Sequence, residues 1–141
     1  NLYFVGKTIY SYGFHFPMAY ITGIGAIVLV NSSSYSVTTS HHQGYVRGAI
    51  HDRSVVAVNT DTLAQMIGQL EHLGGVRAST WIMAEREIGE RMNFSMLKAR
   101  HARKEGTKEG WLRQVRDGNE QLYQLSLLPT RTDLDSTQAI V

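Results

Sequence analysis

Between Thr8 and Val46 the chain runs for 39 residues without an Asp, Glu, Lys or Arg. The stretch is rich in Tyr, Ser, Thr and Gly. Its short β-branched and aromatic runs are Leu2 to Val5, Thr8 to Tyr12, Met18 to Thr22, Ala26 to Val30 and Tyr35 to Thr38, punctuated by Gly6, Gly13, Pro17, Gly23, Gly25 and Asn31. That pattern predicts antiparallel β-structure. Thr22-Gly23-Ile24-Gly25 reads as a hairpin turn, because glycine takes positive φ without steric penalty. The most apolar window, Met18 to Val30, is 13 residues with two glycines, against about 20 for a membrane span.

The rest of the chain changes character. Ser40 with Gln43 three residues on has capping-box spacing and predicts a helix with Tyr45, Val46, Ala49 and Ile50 on its buried stripe. Arg53 to Asn59 reads as a further strand. Asn59 or Thr60 caps a helix in which Leu63, Met66, Ile67, Leu70 and Leu73 keep the 3-4 spacing, and Gly74-Gly75 ends it. Residues 77 to 105 are helical in composition, with Trp81, Ala84, Ile88 and Met92 on one face. A break is expected at Asn93 and a turn at Gly106 to Gly110. Residues 111 to 128 fit two patterns. Trp111, Val115, Gly118, Leu122 and Leu125 suit a helix, whereas Asp117-Gly118-Asn119 suits a hairpin.

These elements predict one α+β domain over residues 1 to 128, mainly β to residue 59 and mainly helical from 60. An N-terminal antiparallel sheet of four to six strands packs against C-terminal helices, and 129 to 141 form a tail. A chain of 141 residues is about one domain long and can bury a substantial core. With 43% hydrophobic and 18% charged residues, two Pro and no Cys, it is neither a disordered polyelectrolyte nor a collagen-like or disulfide-stapled peptide. The absence of cysteine excludes thiolate chemistry and Cys-based zinc sites and fits a reducing compartment. No secretory signal pattern opens the chain, so a cytoplasmic location is expected.

Charge gives the functional lead. Net charge is only +2, but Leu97 to Arg116 holds Lys98, Arg100, Arg103, Lys104, Lys108, Arg113 and Arg116 against Glu105 and Glu109, or +5 in 20 residues. Such a segment suits phosphate contacts, since Lys and Arg displace the counterions of a nucleic acid. The bland alternative is a solvated basic helix face, and an acidic protein is a further candidate partner. Lys98, Arg100, Arg103, Lys104, Lys108 and Arg113 are the candidate nucleic-acid-binding residues, for DNA or RNA. A sharper version is a winged helix-turn-helix, with residues 95 to 105 as recognition helix and 111 to 125 as wing.

A second constellation collects Tyr12, His15, Tyr35, Thr39, Ser40 and His42. Two histidines suit general acid–base cleavage of phosphodiesters, as in a small metal-independent nuclease. The same groups equally suit turns and caps in a polar β-layer, and no charged residue accompanies them in sequence. No metal and no cofactor is expected. The six histidines lack His-x₃-His and His-Glu-x₂-His spacing. Gly23-x-Gly25 lacks the rest of a dinucleotide fingerprint, and there is no Walker loop or nucleophile elbow.

Two motifs carry a resemblance. Tyr10-Ser11-Tyr12-Gly13-Phe14-His15-Phe16-Pro17, then Val30-Asn31, then Tyr35-Ser36-Val37-Thr38-Thr39-Ser40-His41-His42-Gln43 resemble a family of small, largely uncharacterised proteins encoded by phages and mobile elements. The likeness extends more weakly to Leu97 through Lys104. It implies a basic helix there followed by a second helix. It implies no activity, and it favours a host-cytoplasmic accessory protein. The expected function is therefore a non-enzymatic nucleic-acid-binding accessory or regulatory protein of phage or mobile-element type. The alternatives are a protein-binding effector that blocks a host defence complex and the nuclease using His15 and His42.

Overall fold

A computed structural model describes residues 2–11, 16–32 and 54–131. The expected strand at Tyr35 to Thr38 and the helix begun at Ser40 lie outside the described residues. So do residues 132 to 141 of the expected tail.

The described residues form five strands and three helices, an α+β arrangement in which the sheet comes first. The strands are β1 (Leu2–Val5), β2 (Thr8–Ser11), β3 (Pro17–Ile21), β4 (Ile27–Asn31) and β5 (Ser54–Val58). The helices are α1 (Thr60–Leu73), α2 (Ala78–His101) and α3 (Glu105–Ser126). In the sheet the strands lie in sequence order. β1 to β4 form the expected antiparallel meander, and β5 adds to β4 in parallel, with Leu29 opposite Val56. The sheet is thus mixed. A parallel neighbour takes a crossover rather than a hairpin.

The β3–β4 turn shows how the sequence sets a local shape. Gly23 and Gly25 take φ of 76° and 57°, which a β-carbon would strain. Just before them the Thr22 hydroxyl accepts from the Ile24 amide at 3.0 Å and donates to the Ile27 carbonyl at 2.9 Å. β4 is buried at every position, which explains its unbroken Ile-Val-Leu-Val run. Alternation sends Ile27 and Leu29 to a core shared with the helices, while Val28 and Val30 join Ile9, Ala19 and Ala57 in a second cluster. At the strand end, buried Asn31 donates through Nδ2 to the Pro17 carbonyl at 2.8 Å and to Thr60 Oγ1 at 3.0 Å. It ties the start of β3 to the start of α1.

α1 ends as expected, with Gly74 at φ 74°. Its start is capped by Asn59, whose Oδ1 accepts the Thr62 amide at 2.9 Å. A capping box would place an acid at Thr62. Here Glu87 of α2 takes that role across space, accepting from the Asn59 amide at 2.7 Å and the Thr62 hydroxyl at 2.5 Å.

α2 and α3 correct three expectations. α2 passes through Asn93 without a break. Gly106 and Gly110 lie inside α3, and the reversal falls at Ala102 to Lys104, where Ala102 and Lys104 are extended. Residues 111 to 126 are helix, so the winged arrangement is not formed. The reason is common to all three. Each helix is held by its neighbour, and packing overrides weak local preferences of one Asn or Gly. Gly118 is required by that packing. A β-carbon there would overlap Met92 Cγ and approach its Sδ at 2.8 Å. Beyond α3, Pro129 and Arg131 pair with Val76: the Val76 amide donates to the Pro129 carbonyl and the Arg131 amide to the Val76 carbonyl, both at 2.8 Å.

Candidate nucleic-acid interface

The α2–α3 hairpin brings the basic residues to one end of the fold. Lys98, Arg100 and His101 occupy the last turn of α2, Arg103 and Lys104 the reversal, and Lys108 and Arg113 the first turns of α3. Lys98, Arg100, Arg103, Lys104, Lys108 and Arg113 are all exposed. None of the six forms an ion pair with a carboxylate of the described residues. Arg116 differs. Its Nη2 donates to Glu109 Oε1 at 2.8 Å, and the contact holds the Glu109 carboxyl below its ordinary range, first through the hydrogen bond and then through the guanidinium charge.

Two aromatic residues stand beside these cations. Phe94, 54% exposed, meets Trp111 edge-to-face, with centroids 5.9 Å apart and planes at 79°. The Lys98 ammonium lies 5.3 Å from the Phe94 centroid, a cation–π distance. Sequence reading missed this pair. Its signal appears only once the reversal is centred near Arg103, because positions 94 and 111 are then almost equidistant from it.

Toward the sheet the seam between the helices is polar. Gln121 Oε1 accepts from the Ala57 amide at 3.0 Å and from Arg91 Nη2 at 3.2 Å. Arg91 Nη2 also donates to the Ala57 carbonyl at 2.6 Å. Gln121 Nε2 donates to Asp117 Oδ2 at 2.7 Å, and Ser95 donates to Gln114 at 3.2 Å. Arg91, Ser95, Gln114, Asp117 and Gln121 line a hollow of about 450 Å³. A second hollow, of about 400 Å³, adds Glu87, Glu90 and Phe94. A third, of about 610 Å³, is lined by Thr107, Gly110, Trp111, Arg113, Gln114 and Asp117. Charge along this face therefore shifts from a net acidic balance near β5, where Glu87, Glu90 and Asp117 outnumber Arg91, to basic at the reversal.

Tyr12, His15, Tyr35, Thr39, Ser40 and His42 lie outside the described residues. Among the described residues no group of three His, Asp or Glu side chains is placed to hold a metal ion, and no helix is long and apolar enough to cross a membrane. No protein-family model, curated protein or solved structure matches the chain.

Proposed function

We propose that the chain is a non-enzymatic nucleic-acid-binding accessory protein, of the kind phages and mobile elements carry, and that the α2–α3 reversal is its contact surface. One observation carries the reading. Six exposed cations gather at a single end, and none of them is in a salt bridge with a carboxylate of the described residues. Glu105 and Glu109 lie among them, but Glu109 is taken by Arg116, and Leu97 to Arg116 keeps an excess of +5. A polyanion is the partner class that gains most from such a cluster, because each phosphate neutralised releases condensed counterions.

Affinity for mixed-sequence DNA and RNA over a salt series tests the reading. Engagement of all six cations gives a log–log slope of about −4 to −5. A slope near zero, or no binding at low salt, removes the proposal. A protein partner would instead be retained from nuclease-treated host lysate.

A further inference from the structure

We infer that the hairpin end holds single-stranded nucleic acid, with Phe94 and Trp111 forming a stacking platform for unpaired bases. The inference rests on the nucleic-acid reading above and adds the form of polymer bound.

Phe94 keeps 54% of its surface exposed although it sits within a 24-residue helix whose neighbours Ser95 and Ala99 are buried. Trp111 fixes the Phe94 ring by its edge-to-face contact without enclosing it. An exposed ring held in place loses little freedom when a base stacks on it. Cations flank the pair on both helices: Lys98 lies over the Phe94 ring, and Arg113 lines the hollow beside Trp111. A base stacked here would have its own phosphate within reach of an ammonium or guanidinium group. The hollow is open beside Gly110, where a β-carbon would meet nothing within 4 Å.

The charge gradient orients the polymer. Glu87 and Glu90 outnumber Arg91 in the hollow on the sheet side of Phe94, leaving it net acidic and unfavourable to phosphate. A strand is therefore held across the two helices of the hairpin, over Lys98, Phe94, Trp111 and Arg113, rather than along the seam toward β5. Duplex bases are already stacked on each other and offer their faces to no side chain. Aromatic platforms flanked by cations serve unpaired strands and tolerate any base. Among the described residues the segment after the reversal is helix and not a wing that could brace a duplex.

The test uses the full chain with labelled oligonucleotides of about 12 residues: oligo-dT, oligo-U, and a mixed-sequence duplex of equal length. Salt is varied from about 50 to 200 mM. Single strands in at least one of the DNA and RNA arms bind more tightly than duplex. Phe94→Ala weakens that binding about 5- to 150-fold, the range of one lost stacking contact, and leaves the salt slope unchanged. Phe94→Trp restores it. Trp111→Phe abolishes most of the fluorescence quenching that accompanies binding. Circular dichroism confirms that the Phe94 variants, altered at an exposed site, keep their fold. Unchanged affinity in Phe94→Ala, or duplex bound as tightly as single strands, overturns the platform while a persistent salt slope leaves the cationic surface standing. Absence of salt-dependent binding to every probe removes both.

Discussion

Gln121 and Ala57, 64 residues apart, meet at the edge of the sheet: the Gln121 side-chain oxygen accepts the Ala57 amide at 3.0 Å, and Arg91 donates to the Ala57 carbonyl at 2.6 Å. Two side chains thus satisfy the groups that a neighbouring strand would pair. β5 is an edge strand among the described residues, and an open edge invites pairing with another chain. The helical hairpin closes it with hydrogen bonds as well as bulk.

Gln121→Ala therefore leaves a buried amide without its acceptor and costs about 1–3 kcal/mol. Urea unfolding measures it. Arg91→Ala acts on the same residue, so the double variant loses less than the two single losses combined. Strict additivity would show that the two side chains work independently.

Glycines within the helices divide into two kinds. Gly89 has nothing within 4 Å of an added β-carbon, whereas Gly118 is pressed by Met92. Gly89→Ala gains up to about 1 kcal/mol from helix propensity. Gly118→Ala gains the same propensity but overpacks the seam at about 1–3 kcal/mol, so it is net destabilising. Shortening the neighbour in Gly118→Ala/Met92→Ala recovers part of the loss. Thermal melts that rank Gly118→Ala above the parent would refute the close approach.

Within the cation set, each exposed contributor removes its own share of the salt dependence. Arg103→Gln and Lys104→Gln each reduce the slope by about 0.7 to 0.9 and weaken binding to all sequences alike. Lys7→Gln, on the β1–β2 turn beside Gly23, leaves the slope unchanged. An equal effect from Lys7 would mean that net charge, and not the hairpin end, sets affinity.

The Glu109 carboxyl titrates below its ordinary range because Arg116 donates to it. A carboxylate with a lowered folded-state pKa adds stability above its unfolded value, and that contribution disappears as pH falls through the folded value. Both partners are more than half exposed, at 61% and 54%, so solvent screens the pair. In Arg116→Gln the Glu109 titration, followed by carboxyl NMR shifts, moves up toward the usual range, and the acid side of the stability profile barely changes. A Glu109 midpoint that stays put would show that Arg116 does not set it.

Much of this architecture is readable from residue pattern, and the failures share a cause. Gly23 and Gly25 mark the β3–β4 turn because positive φ demands glycine there. Asn59 marks the start of α1 because its side chain alone can take the Thr62 amide. Leu63, Met66 and Ile67 reveal the buried face of α1 by spacing. Gly106, Gly110 and Gly118 mislead. They resemble turn residues locally, but the helix through them is decided by α2 and by Met92, which no window around them contains. The parallel placement of β5 is likewise a long-range outcome. Of the candidate site, the cations are legible as a composition bias, since charge needs no geometry to be counted. Phe94 and Trp111 become neighbours only through the register of two helices, and Arg91 and Gln121 only through their shared approach to Ala57.

Between Met92 on α2 and Gly118 on α3, neither helix contributes a side chain to the sheet's apolar clusters. The outer stem is held by Ser95 and Ala99 against the facing helix. A stem anchored at one end only can fray at the other while the sheet stays intact, so amide exchange should be faster near Arg103 than at Ile88. The same arrangement frees evolution's hand. Residues in the stem answer to one packing partner instead of a whole core, so their chemistry can drift toward new targets without endangering the fold that carries them.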